Sequence, residues 1–260
     1  MYSLLSDLFS DKHGSTLFTC FDIWHFGYIA LFVLIGAFAV WFLRKKGTDV
    51  RIKTIRFFVH LAFALYLADF FIMPLAYGEI NIEKLPFHVC TTMCVMCFLS
   101  NHVSFFAKFK WHFALLGFLS NLIYLLYPAG VMWYQIHPLS YRVIQTLVFH
   151  GVMAVYGLLV LIYESEHVSF RKWYTDLLVL CAMTAWAMLG NFIYNGTQGN
   201  YSHFFNWFFV VRDPFYWFPE DVSPFIMPPL NIALFFSVEM IVYWIIIHAK
   251  RTFAKKECIQ

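Results

Sequence analysis

The chain has 260 residues, 61% of them hydrophobic, 22% aromatic and only 13% charged. That is far more apolar than a soluble globular domain, and it implies an all-α, polytopic membrane protein built as one bundle over residues 1–260. The net charge of +3 decides little, and the sequence holds no phosphate-cradling glycine loop and no nucleic-acid signature.

The N-terminus carries Asp7, Asp11 and Lys12 ahead of the first apolar run, which is not the basic start of a cleavable signal peptide. Seven apolar runs follow, at about 25–43, 57–77, 86–106, 111–127, 143–163, 173–193 and 227–247. A bilayer crossing takes about 20 such residues, so seven transmembrane helices are expected, the last starting after Pro228-Pro229. Fourteen of the 18 Lys and Arg residues fall at 44–56, 108–110, 171–172 and 250–256. By the positive-inside rule this puts the N-terminus outside and the C-terminus in the cytoplasm.

The third run opens Leu85-Pro86-Phe87-His88-Val89-Cys90-Thr91-Thr92 and continues through Cys94 and Cys97. Proline is favoured in the first turn of a helix, so Pro86 is read as the helix start, with His88 and Cys90 in or just after the first turn. Helix N-termini favour thiolates. Cys94 and Cys97 follow at i+4 and i+7 on the face of Phe87 and Cys90, as small apolar groups. The six cysteines do not suggest a disulfide framework, since five lie in or beside apolar runs and Cys258 sits in a basic tail. The last four residues do not fit a prenylation signal.

The connection from Asn195 to Met227 is dense in aromatics, among them Phe205, Trp207, Phe215 and Trp217. It is read as a lid over the outer face or as a loop on lipid headgroups. Asn195-Gly196-Thr197 and Asn200-Tyr201-Ser202 are glycosylation triplets on the same side.

Ionisable and amide side chains are costly inside a membrane, so each is a site candidate. His25, Asp69, His88, Asn121, Gln145, His150, Asn191 and Asn231 all fall in the outer half of their spans, whereas His60 and Glu239 lie deeper or on the inner side. That asymmetry points to a polar cavity opening toward the outer leaflet. The duller accounts are an interfacial anchor for His25 and interhelical hydrogen bonds for Asn121 and Asn231. For Asp69 a site role or a buried pairing with a histidine is expected.

A thiol at a helix start and a histidine at matching depth are the parts for nucleophilic acyl transfer. Cys90 is then the nucleophile and His150 the base, with His88 and Asn191 orienting and Asp69, His25, Asn121 and Asn231 lining the cavity. Membrane phospholipid is the expected partner; no cofactor, metal or nucleic acid is implied. Two alternatives remain at this point: a seven-helix transporter or binder for a small polar or lipid ligand, and a lipid hydrolase that is metal-dependent or uses Thr91 or Thr92 as nucleophile. The third span lacks the acidic-Arg-aromatic triplet of a seven-helix receptor, and the seventh lacks its Asn-Pro-x-x-Tyr run.

The Leu-Pro-Phe-His-Val-Cys run at 85–90 resembles the signature of the YwaF-like bacterial integral membrane proteins, whose eukaryotic relatives are transmembrane cysteine-centred ether-phospholipid acyltransferases. His25, Phe149-His150-Gly151 and Asn191-Phe192-Ile193-Tyr194 agree in order. The resemblance implies acyl transfer at Cys90 with His150 as its partner. A multi-pass protein of a plasma membrane or endomembrane is expected.

Overall fold

The computed structural model describes residues 8–9, 16–78, 80, 82–132, 136–165, 170–197 and 205–257. Among the described residues every regular element is helical. The helices are α1 (Ile23–Leu43), α2 (Thr48–Tyr77), α3 (Val89–Ser100), α4 (Ser104–Ala107), α5 (Lys110–Leu126), α6 (Ala129–Met132), α7 (Tyr141–Tyr163), α8 (Trp173–Thr197) and α9 (Ser223–Glu257). Short 3-10 turns stand at Ile82–Lys84, Phe170–Lys172 and Trp207–Phe209.

Among the described residues five helices are long and apolar enough to cross a membrane: α1, α2, α7, α8 and α9. The two other expected spans form shorter helices. α5 has 17 residues and α3 only 12, about 18 Å at 1.5 Å per residue. The run expected at 86–106 is broken after Ser100. Ser100 Oγ and Asn101 Nδ2 both donate to the Cys97 carbonyl, at 2.7 and 2.8 Å. The backbone ladder tightens there, the Asn101 and His102 N–H groups bonding to the carbonyls of Phe98 and Leu99 three residues back, and the chain restarts at Ser104.

Two other boundaries move outward. α2 begins at Thr48, nine residues before the apolar run at 57. The basic stretch is helical because Arg51 has work to do there: its guanidinium donates to the carbonyls of Leu43 and Arg44 at the end of α1, the usual cationic complement to a helix C-terminus. It also lies over the Tyr163 ring, 4.8 Å from the centroid. α9 starts at Ser223, ahead of Pro228 and Pro229. Prolines this close to a helix start remove bonds only to the first-turn carbonyls, so the helix tolerates them.

The chain packs as two compact units: Met1–Ile82 with Met93–Glu164, and Glu83–Thr92 with Ser165–Gln260. In the first, α7 is the enclosed helix, with α1, α2 and α5 packed against it. Small residues permit that approach, as they do where helices associate in lipid. The Phe32 ring of α1 sits so close over Gly151 that a Cβ there would lie 2.2 Å from it.

In the second unit α8 and α9 pack on each other and on the Trp207–Phe209 turn. The aromatic connection, expected as a lid or a headgroup-level loop, divides. Phe205, Trp207, Phe208 and Val210 are buried in the unit, while Phe215, Tyr216 and Trp217 are well exposed. Asp213 holds the exposed part in a tight turn by accepting from the backbone N–H groups of Phe215, Trp217 and Phe218. The triplet beginning at Asn200 lies outside the described residues, as do Asp7, Asp11, Lys12 and Cys258.

Candidate functional site

Pro86 does not open the helix. Residues 85–88 form a turn, and α3 begins at Val89. The Thr92 N–H makes the first helical bond, to the His88 carbonyl at 2.9 Å. Two hydroxyls secure the turn below it. Thr91 Oγ1 donates to the carbonyls of His88 and Leu85, and Thr92 Oγ1 to that of Pro86 at 2.7 Å. Cys90 is therefore the second residue of α3, inside the first turn, where backbone N–H groups lack intrahelical acceptors. Its side chain is buried. Phe87, expected on the same helical face, stands outside the helix and leaves that face to Cys90, Cys94 and Cys97. None of the described cysteines is in a disulfide.

Phe87 instead anchors the turn to α8. Its ring stacks on Trp186 at 5.0 Å and meets Trp207 at 5.1 Å and Tyr194 at 6.1 Å. It fits because residue 190 is glycine: a Cβ there would lie 2.4 Å from the Phe87 ring. Two indole N–H groups complete the fixing, Trp186 to the Pro86 carbonyl and Trp207 to the Glu83 carbonyl.

Asn191 and Asn195 lie one turn apart on α8 and do the same thing to alternate residues of the connection. Asn191 Nδ2 donates to the Trp207 carbonyl at 3.0 Å and its Oδ1 accepts from the Trp207 N–H at 3.1 Å. Asn195 makes the matching pair with Phe205, at 2.9 and 3.0 Å. Each amide takes the part of a neighbouring β-strand for one residue, which satisfies buried backbone groups that have no secondary structure of their own. Asn231 of α9 donates to the carbonyls of Phe208 and Phe209, two non-glycine residues with φ of 56° and 51°. His88 meets the Phe209 ring edge-on at 5.8 Å, and its Nδ1 is buried with no hydrogen-bond partner among the described residues.

So the second unit holds His88, Cys90, Asn191 and Asn231, along with Thr91, Thr92 and Glu239. The first unit holds the others. His25 is fully buried. Its Nδ1 accepts from the Phe21 N–H at 2.9 Å, so the proton sits on Nε2, which donates to the Leu125 carbonyl at 2.7 Å. Nε2 thus ties the start of α1 to the end of α5, while Nδ1 holds the turn just ahead of α1. Asp69 accepts from the Tyr141 hydroxyl at 3.1 Å. Asn121 donates to the Gly117 carbonyl within its own helix, and its buried Oδ1 has no partner among the described residues. Gln145 reaches the Leu65 carbonyl at 3.4 Å.

His150 lies on α7, flat against Tyr124 with centroids 3.8 Å apart and planes 10° from parallel. Its Nδ1 is 2.7 Å from the Thr146 carbonyl. A carbonyl only accepts, so Nδ1 carries the proton and the basic lone pair resides on Nε2. Among the described residues no group of three or more His, Cys, Asp and Glu could hold a metal ion.

The residues that sequence reasoning missed are those that build the turn: Thr92, Trp186, Gly190 and Asn195. Asn195 was read as a glycosylation triplet, yet its i, i+4 spacing from Asn191 was visible. Neither a curated protein nor a solved structure matches the chain. One family model does, the TMEM164 family, over residues 9–248.

Proposed function

The chain belongs to the TMEM164 family, a transmembrane protein family, and from that premise we propose that it is a membrane-embedded acyltransferase working on phospholipid acyl chains. With five long apolar helices, it is a multi-pass integral membrane protein. In this reading α3 and α5 also belong to the membrane layer, giving seven spans with the N-terminus outside and the C-terminus cytoplasmic, as the Lys and Arg distribution favours.

Cys90 is the nucleophile and His150 the base. The thiol proton passes to His150 Nε2, and the sulfur attacks an acyl ester carbonyl of a phospholipid. The tetrahedral intermediate collapses to an acyl thioester on Cys90, and the departing lysolipid oxygen takes the proton back from His150. The hydroxyl of an acceptor lysolipid then repeats the sequence in reverse and carries the acyl group away. First-turn N–H groups of α3 stabilise both the thiolate and the oxyanion. His88 and Asn191 orient, the first through its buried Nδ1, the second by holding the aromatic connection.

The observation that carries this reading is the start of α3 at Val89, which sets a buried thiol in the first turn of a helix. The same turn argues against threonine as nucleophile, because the Thr91 and Thr92 hydroxyls are committed to backbone carbonyls.

The test is lipid mass spectrometry on purified protein with mixed diacyl and lyso phospholipids, together with labelling by a lipid-mimetic iodoacetamide. Wild type exchanges acyl chains and labels at Cys90. Cys90→Ala loses the exchange, and His150→Ala slows both exchange and labelling. Unchanged exchange in Cys90→Ala overturns the assignment. Movement of lipid or solute across vesicles without any acyl exchange favours transport instead.

A further inference from the structure

The connection between α8 and α9 sorts its aromatic rings into two sets. Phe205, Trp207 and Phe208 are buried in the unit, whereas Phe215, Tyr216 and Trp217 are 61%, 73% and 72% exposed. Hydrogen bonds fix the outward set in place. Asp213, itself 1% exposed, accepts from the backbone N–H groups of Phe215, Trp217 and Phe218 at 2.8, 2.6 and 3.1 Å. The Phe215 and Trp217 rings stack at 4.8 Å with planes 21° apart. Between them Tyr216 has a φ of 58°, in the left-handed region that a bulky side chain rarely enters. Residues held in that region cluster at functional segments, and this one keeps three large rings on the surface. Rings of this size are unfavourable in water, so the patch implies something that covers it.

The elements on either side say what covers it. α8 and α9 are both long and apolar enough to cross a membrane, over Trp173–Asn195 and Ser223–Ala249, so the chain joining them lies at one membrane face. Trp217 stands just ahead of the second of these. Exposed apolar surface continues directly into α9, where Phe225 is 80% exposed. Farther along, Leu234, Val238, Ile241 and Ile245 recur at helical spacing on one exposed apolar face. At a membrane boundary, indole and phenol groups turn their apolar body toward the acyl chains and keep the N–H or O–H wet. Charge limits the depth, because the exposed carboxylates of Glu220 and Asp221 follow closely and stay in water. We propose that the Phe215–Trp217 tip is an interfacial anchor, its three rings seated at the headgroup–acyl boundary of the leaflet beside the α8–α9 connection. The anchor sets the depth of the same connection that Asn191, Asn195 and Asn231 clamp to the two helices. It does not depend on the acyl-transfer assignment.

The experiment uses the full-length protein in phosphatidylcholine nanodiscs. Lipid brominated near the headgroup end of its acyl chain, or near the methyl end, quenches tryptophan at the corresponding depth, and iodide quenches from water. The difference between wild type and Trp217→Phe isolates the signal of Trp217. That signal is blue-shifted, loses most intensity to the shallow bromine and loses little to iodide. A polarity-sensitive fluorophore on Tyr216→Cys, in a background without native cysteines, gives the same pattern, while one on Glu220→Cys is quenched by iodide. Strong iodide quenching of Trp217 overturns the proposal, because the tip is then in water. Protection from iodide and from both bromines also overturns it, since protein then covers the tip, either this chain folded back or a second copy. Strongest quenching by the deep bromine overturns the interfacial position. If the cysteine-free background does not fold, the Trp217 difference decides by itself.

Discussion

Thr92 illustrates how much of this molecule rests on single hydroxyls and amides. Its Oγ1 binds the Pro86 carbonyl at 2.7 Å and fixes the turn that delivers Cys90 into α3. Thr92→Val keeps the shape and removes the donor, leaving a carbonyl short of a partner. A loss of about 1 kcal/mol is expected, read as a lower unfolding temperature in detergent. Cys90 behaves differently. Cys90→Ser keeps size and burial, so stability stays near wild type. A hydroxyl is far harder to ionise than a thiol, so acyl exchange drops by at least about 100-fold. A serine variant as active as wild type would show that the sulfur is not the nucleophile.

At the scale of elements, α8 is where the second unit is specified. Gly190 admits the Phe87 ring, and Asn191 and Asn195 pair with Trp207 and Phe205 across one turn of helix. Gly190→Ala forces a methyl to within 2.4 Å of Phe87, an overpacking that costs about 1–3 kcal/mol. Phe87→Leu in the same chain relieves the clash, so a double-mutant cycle on melting temperatures returns a coupling between the two positions. Independent effects there contradict the packing. The amide pairs carry a second expectation. Asn195 has its donor and its acceptor both engaged by Phe205, so this triplet stays unglycosylated in a eukaryotic host, and Asn195→Gln leaves gel mobility unchanged.

This scale also shows where the sequence was legible. Apolar runs with basic flanks located α1, α5, α7 and α8 to within a few residues, because burial in lipid demands long uninterrupted hydrophobicity. The same criterion failed at α3. Ser100 and Asn101 are two polar residues in an apolar stretch, and hydropathy averages over them, whereas the backbone bonds of Asn101 and His102 to carbonyls three residues back close the helix there. It failed at α2 too, since Arg51 looks like loop to a hydropathy scale but caps α1 from within a helix.

At the scale of the whole molecule, the proposed topology is the property to test. In the proposed topology 14 of the 18 Lys and Arg residues lie on the cytoplasmic side, so a cysteine introduced at Lys46 or Lys172, in a background without native cysteines, reacts with an impermeant maleimide only after the cytoplasmic face is opened. One introduced at Glu220 reacts from outside without permeabilisation. Labelling of both sets from one side rules out the seven-span arrangement, while the helical units themselves are unaffected by that result.

Composition by itself determined that this chain lives in a membrane and is helical, because only helices or closed barrels satisfy every backbone group in lipid. The order of basic residues set the orientation we propose, and the run at 85–90 singled out one cysteine. Tertiary structure alone decided what the polar residues do. His25 became a tie between helices, Asn191 a substitute strand for Trp207, and Asp69 a partner of Tyr141, because a hydrogen bond depends on which atom of another segment arrives within about 3 Å. Sequence spacing constrains that only within one helix.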